Sequence, residues 1–216
     1  MKVLIACEES QEVCKAFRAL GHEAFSCDIL PCSGGHPEWH IRDDVLKHLN
    51  DGWDLMIAHP PCTYLSTAGA SWLKRRPERK NKMKEAALFF KKLLEAPIDK
   101  ICVENPTIFW DARFIIGSSH NQVIEPYMFG DPYKKKTCLW LKNLPKLQAS
   151  NEVKPENYWV NSSSNYKGKL KLGTKGQRDP KMRSKTFPGI AKAMAEQWGI
   201  SHQKRQNSLY AKQENA

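Results

Sequence analysis

Four short apolar runs constrain how this chain can fold. "KVLIA" opens at Lys2, "EAFSCDI" reaches Asp28, "WDLMIAH" ends at His59 and "DKICVE" ends at Glu104. Runs this short, apolar at nearly every position, are what a strand needs when both faces of its sheet are covered. The segments between them read as helices. "SQEVCKAFRALG" sets Val13, Phe17 and Leu20 on one face, with Ser10 as the N-cap and Gly21 at the C-terminus. "DDVLKHL" reads as a short helix and "RPERKNKMKEAALFFKKLLEA" as a long one. Strands alternating with helices predict an α/β fold, a mostly parallel sheet with helices on both faces. "NQVIEPYMFG" and "KTCLWLK" read as later strands that can pair as a hairpin, and "TFPGIAKAMAEQWG" lines up Ile190, Met194 and Trp198 as a helical stripe.

A chain of 216 residues can bury one sizeable core. Residues 1–142 are expected to form it. Residues 143–185, rich in Asn, Ser, Gly, Pro and Lys, read as a basic loop or minimal recognition region. Residues 186–200 supply a closing helix, and the polar 201–216 is expected to be a disordered tail. No internal repeat is found.

Charge narrows the function. Lys and Arg total 34 against 23 Asp and Glu, a formal net charge of +11. The excess falls in two tracts. Lys74, Arg75, Arg76, Arg79, Lys80, Lys82 and Lys84 oppose Glu78 alone, and a second tract from Lys167 to Lys185 opposes only Asp179. Concentrated positive charge suits a phosphate backbone. A mean hydropathy of −0.60 and the lack of a long apolar run predict no membrane span. "MKVLIACEES" meets Glu8 too soon for a signal peptide, and seven irregularly spaced cysteines suit a reducing cytoplasm. The oligomeric state has no signature in the sequence.

In an open parallel sheet, ligands gather beyond the carboxyl ends of the strands. That edge is expected to hold Cys7 and Glu8, then Asp28, Cys62 and Glu104. A thiol and a carboxylate delivered to one cleft suit covalent catalysis with an acid partner. Against this stands simple packing of Cys62, since free cysteine is among the most buried residue types.

"HPPC" and "VENP" resemble the Pro-Cys and Glu-Asn-Val motifs of DNA cytosine-5 methyltransferases. Other blocks follow in order. "VLIACEESQEVCKAFRALGHEAFSCDI" is similar to the opening S-adenosylmethionine segment, and "IRDDV" to the aspartate block at the adenine edge. "KTCLWLKNLP" stands where the family has its Gln-x-Arg-x-Arg strand, and "RSKTFPGIAKAMAEQWG" resembles its closing block. The resemblance covers most of residues 1–199, and is to the compact methylase-like branch of phages and bacterial genomes. It implies a Rossmann-like S-adenosylmethionine-dependent methyltransferase fold with a reduced or absent target-recognition domain. It further implies methyl transfer to C5 of cytosine in DNA. Cys62 would attack C6 as a thiolate, and Glu104, protonated or sharing a proton, would contact N3. The implied cofactor contacts are Ala6, Cys7, Glu8, Asp28, Asp44 and Pro60, with Asp43 equally near the aspartate block. Nucleic acid would meet Arg75, Arg76 and Lys80, and Lys134, Lys135 and Lys136. Two departures stand out: "ACEESQ" replaces the glycines of the first turn, and "YKKKT" replaces paired arginines.

Competing readings remain. Cys27, Cys32, His36 and His40 are zinc-ligand types, but Cys32 and His36 are too close for an ordinary finger, so no metal is expected. A folate-dependent pyrimidine-nucleotide enzyme would also attack C6 with cysteine, and RNA is not excluded as substrate. A nucleic-acid-binding protein that kept the fold and lost catalysis is the reading from a different class.

Overall fold

The computed structural model describes residues 1–67, 76–159 and 179–199. In chain order the elements are β1 (Lys2–Ala6), α1 (Glu12–Ala19), β2 (Glu23–Cys27), β3 (His40–Ile41), β4 (Leu55–Ala58), α2 (Arg79–Leu94) and β5 (Lys100–Asn105). Then come α3 (Trp110–Ile116), β6 (Gln122–Ile124), β7 (Tyr133–Lys134), β8 (Thr137–Lys142), β9 (Asn157–Tyr158), α4 (Pro180–Ser184) and α5 (Pro188–Trp198). A seven-stranded sheet has the order β3-β2-β1-β4-β5-β8-β6. The pairings from β3 through β5 are parallel, and β8 runs antiparallel to both its neighbours. This is the α/β architecture expected from the sequence, a mostly parallel Rossmann-like sheet with helices on both faces.

The period of two along buried strands explains the layers. Leu4, Ala6, Met56 and Ala58 face one core with Phe90 and Leu93 of α2 and Ala112 of α3. Val3, Ile5, Leu55 and Ile57 face the other, with Val13 and Phe17 of α1 and Ile190, Met194 and Trp198 of α5. The apolar runs are therefore continuous because each strand feeds two cores. β1 lies between β2 and β4, so the strand order reverses beside it. A crevice opens at such a reversal.

The structure departs from the sequence reading in three places. The helix expected over "DDVLKHL" is a single 3-10 turn, Val45–Lys47, capped by Asp44 Oδ1 accepting from Leu46 N at 3.0 Å. Gly52 (φ 76°) and the start of β4 follow too closely for further turns. β3 is two residues long, too short to show a period. α3 was not legible because Trp110 and Phe114 stay 66% and 77% exposed, which breaks the expected apolar stripe. The first basic tract's Lys74 and Arg75, most of the second tract, and the tail from 200 to 216 lie outside the described residues.

Candidate active site

The turn after β1 comes first. Cys7 and Gln11 take φ values of 58° and 59°, the left-handed region that favours glycine. Hydrogen bonds fix the turn: Cys7 N and Glu8 N both donate to Cys27 O, at 2.7 and 3.3 Å. The Glu8 side chain turns inward, accepting from Val13 N at 2.7 Å and from Cys14 N at 3.2 Å. Glu8 thus caps α1, and Ser10 takes no part in the cap. The carboxylate expected to face a cofactor is spent on the helix it precedes. Burial raises the Glu8 carboxyl above its ordinary range, against the nearby His59 and the two backbone donors.

Gln11 ties the turn to the next loop. Its Nε2 donates to His36 O at 2.8 Å and to Ser26 Oγ at 3.2 Å, and its Oε1 accepts from His36 N at 3.1 Å. Gly34 fits beneath it, where an added Cβ would stand 2.5 Å from Gln11 Cβ. The candidate zinc ligands have other partners. His40 contacts Ser26 Oγ and Leu30 O, both at 2.9 Å, and His36 stacks on Trp39 with ring centres 3.7 Å apart. Among the described residues, no group of three or more His, Cys, Asp or Glu is arranged to hold a metal.

The loop so pinned forms one wall of a cleft of about 780 Å³ at the reversal point. Cys7, Asp28, Asp44 and Pro61 line it, while Ala6, Glu8 and Pro60 do not. Ala6 is fully buried, and the Pro60 carbonyl accepts from Asn105 Nδ2 at 2.8 Å. These two expected contacts are structural: they fix the ends of β1 and β4. Ile29 and Leu30, 71% and 54% exposed, give the cleft an apolar wall that sequence reasoning missed. Charge gives it a sign. Burial, then Asp28, Cys27 and Asp44, push the Cys7 thiol far above its ordinary range. The Cys27 thiol is pushed to about 12 by burial and by Asp28. The lining itself carries Asp28, Asp43, Asp44 and Glu85 against Lys82, an acidic balance that suits a cation.

Beside the cleft, β4 delivers "HPPC". His59 N donates to Ala6 O at 2.9 Å, and the Cys62 carbonyl accepts from Leu65 N and Ser66 N, both at 3.0 Å. Thr67 N donates to Thr107 O at 3.0 Å and Phe109 N to Leu65 O at 3.1 Å, so the cysteine loop is tied to the segment after β5. Glu104, on β5, reaches the same place. Its Oε2 lies 3.3 Å from His59 Nδ1, with the side chains 17% and 9% exposed. Lys135 stands close enough for its charge to act on both Glu104 and Cys62. Its Nζ donates to Arg183 O at 3.0 Å and Lys185 O at 3.4 Å, bringing the closing segment to the site.

The structure therefore brings Cys62, Glu104 and Lys135 together and adds His59, which the sequence reading passed over. A histidine between a strand end and two prolines was the available signal. Burial alone would raise the Glu104 carboxyl, but the His59 bond and the Lys135 charge outweigh it and hold it below the ordinary range. Cys62 is an exposed residue, yet the surrounding protein and the Glu104 charge raise its thiol against Lys135 and Arg183. An ionised Glu104 thus adds to the burial that disfavours a Cys62 thiolate.

Of the expected nucleic-acid contacts, Lys134 lies over the Tyr158 ring at 5.9 Å and Lys136 acts electrostatically on Cys138. Arg76 and Lys80 stand where α2 begins, and Arg75 falls outside the described residues. Between Arg76 and Lys80, Arg79 donates to Thr63 O at 3.3 Å and stacks 4.7 Å over Tyr64, linking the basic helix to the cysteine loop.

No family model and no curated protein matches the chain. Among solved structures it is similar to a methyltransferase of Entamoeba histolytica, EhMeth, at 14% identity and a TM-score of 0.48. The match covers 70% of this chain and 57% of that one, so the chain spans little more than half that protein's length. The strand order and the site geometry stand on their own. Among the described residues, no helix is long and apolar enough to cross a membrane.

Proposed function

We propose that the protein transfers a methyl group from S-adenosylmethionine to C5 of cytosine in DNA, through a covalent bond between Cys62 and C6. The observation that carries the reading is that Cys62 lies close enough to Glu104 for their charges to interact, directly after Pro61, which lines an acidic cleft of about 780 Å³. The cleft fits the cofactor. Asp28 and Asp44 suit a ribose diol and an adenine edge, Ile29 and Leu30 suit a base face, and the acidic field suits a sulfonium. The same field counts against folate and dinucleotide cofactors, which carry anionic groups. When bound, S-adenosylmethionine supplies an electrophilic methyl group.

The protein's own residues do the rest. The Cys62 thiol passes its proton to the Glu104 carboxylate, and Sγ adds to C6 as the C5–C6 π pair moves to C5, making C5 the nucleophile. Glu104, protonated by that transfer, and Lys135 offset the negative charge that develops on the ring. The pair at C5 becomes the bond to the methyl group; water then takes the C5 proton, the C5–H bonding pair reforms the C5–C6 double bond, and Sγ leaves C6 with the C–S pair. The target base must first leave the stack, at a cost of a few kcal/mol, which basic contacts to the backbone help to offset. The test is tritiated methyl transfer from S-adenosylmethionine to DNA and RNA in parallel, with base analysis of the product. Label in 5-methylcytosine of DNA supports the reading, label in RNA alone redirects it, and no label in either overturns it.

One observation favours a binding protein without catalysis: the first turn holds Cys7 and Gln11 in left-handed backbone that glycine would adopt freely. Calorimetry separates the two readings, because only the enzyme should bind S-adenosylmethionine or its demethylated product.

A further inference from the structure

His59 sits between the half-buried Glu104 and the buried Glu8. Its Nδ1 lies 3.3 Å from Glu104 Oε2, and its charge bears on Glu8, which is 4% exposed in the turn after β1. A carboxylate can only accept, so Nδ1 carries the proton of that bond. The other ring nitrogen, Nε2, is buried and has no hydrogen-bond partner. A histidine with one nitrogen committed and the other buried without a partner is costly as packing alone. An apolar side chain would fill the same space at the end of β4 without that cost.

We propose that His59 is a positioning residue for Glu104: it holds one carboxylate oxygen, leaves the other for the substrate, and sets the carboxyl's protonation state. The inference rests on the reading of Cys62 and Glu104 as the catalytic pair and extends it to a residue outside that pair. The surrounding groups agree with the assignment. Facing Glu104 are His59 from the end of β4, Cys62 from the following loop, Cys102 on β5, and Lys135, Thr137 and Cys138 from β8 and the segment before it. Facing His59 are Glu104 and Glu8. Lys135 is shared with the thiol and also anchored to two backbone carbonyls, so it favours charge on Glu104 without fixing its orientation. Thr137 also hydrogen-bonds the carboxyl but carries no titratable proton, so His59 is the partner that can both orient and titrate.

Two variants separate orientation from protonation. His59→Asn keeps a donor close to the position of Nδ1 but cannot carry a proton as imidazole does; His59→Leu removes both. The first readout needs no turnover. Infrared difference spectra against Glu104→Gln follow the protonated-carboxyl band of Glu104 as pH falls. In the parent protein that band should emerge below the ordinary carboxylate range, and in His59→Leu at distinctly higher pH. The second readout is single-turnover methyl transfer against pH, with binding of nucleic acid and S-adenosylmethionine measured alongside. We expect His59→Asn to bind both within about twofold of the parent, yet to turn over at least tenfold slower with a displaced pH profile. An unmoved Glu104 band in His59→Leu overturns the inference. So does a His59→Asn protein with parental rate and pH profile, which would reduce His59 to a structural donor. A moved band in a protein that transfers no methyl group under any condition would instead refute the proposed function and leave the His59–Glu104 pairing intact.

Discussion

Replacing Glu8 with alanine should destabilise the protein far more than replacing Ser10, the residue a sequence reader would choose as the cap. Glu8 accepts from two first-turn backbone donors of α1, Val13 N and Cys14 N, at 2.7 and 3.2 Å. Both bonds are buried, and Val13 and Cys14 are fully so. Losing the partner of a buried donor costs about 1–3 kcal/mol. Two such losses set an upper range of about 2–6 kcal/mol, reduced because ionised Glu8 itself carries a desolvation cost. A net loss of about 2–3 kcal/mol follows, a large fraction of the ~5–15 kcal/mol that holds a domain together. Ser10→Ala removes no capping bond and should cost less than about 1 kcal/mol, the typical value of a lost cap. Urea unfolding at neutral pH, followed by circular dichroism, measures both midpoints. The parent slope should be kept, since the surface exposed on unfolding hardly changes. Equal losses for the two variants, or a larger one for Ser10→Ala, would refute the capping assignment.

Other consequences can be measured directly. Asp28→Ala should weaken S-adenosylmethionine binding by about tenfold, roughly 1.4 kcal/mol for a lost ribose contact; an unchanged calorimetric affinity would place the ribose elsewhere. Nucleic-acid affinity should fall steeply with salt, and replacing Arg75, Arg76 and Lys80 together should lower the logarithmic salt slope by about 2–3. An affinity insensitive to salt would contradict this. Glu104 and Glu8 should respond to pH with opposite signs. The Glu104 carboxyl is held below its ordinary value of 4.5, so its stabilisation is full above that value and is lost as pH falls through the lower folded value. The Glu8 carboxyl is raised, so its contribution is full below 4.5 and is lost as pH rises through the higher folded value. Denaturation against pH should therefore show Glu8→Gln gaining on the parent as pH rises and Glu104→Gln gaining as it falls; parallel profiles would contradict both assignments.

The sheet was legible because its evidence is repeated. β1, β4 and β5 are apolar on both faces, and helical stripes such as Ile190, Met194 and Trp198 return at the right period. What was illegible turned on single residues whose partners are distant in sequence. Nothing local reveals that Glu8 caps α1, since serine two positions later fits the usual rule better. Gln11 reads as an ordinary polar residue until His36 is seen to close on both ends of its amide. Ile29 and Leu30 look like the end of a strand, yet they remain exposed because the chain has left the sheet and turned along the cleft. At the site, Cys62 and Glu104 were found by type and strand position, whereas His59 needed the 3.3 Å contact across β4 and β5. The charge balance at the site was illegible because it depends on that contact and on Lys135, both distant in sequence.

The most direct test uses DNA carrying 5-fluorocytosine at the target, because fluorine at C5 cannot depart as a proton does. With S-adenosylmethionine present, the protein should become covalently joined to the DNA, and digestion should map the bond to the peptide containing "HPPCTY". Cys62→Ser should form no such bond while keeping its fold and its cofactor affinity, since a serine hydroxyl is hardly ionised at neutral pH. A trap that maps instead to Cys7 or Cys138, or a Cys62→Ser protein that methylates at the parental rate, would show that Cys62 is not the nucleophile.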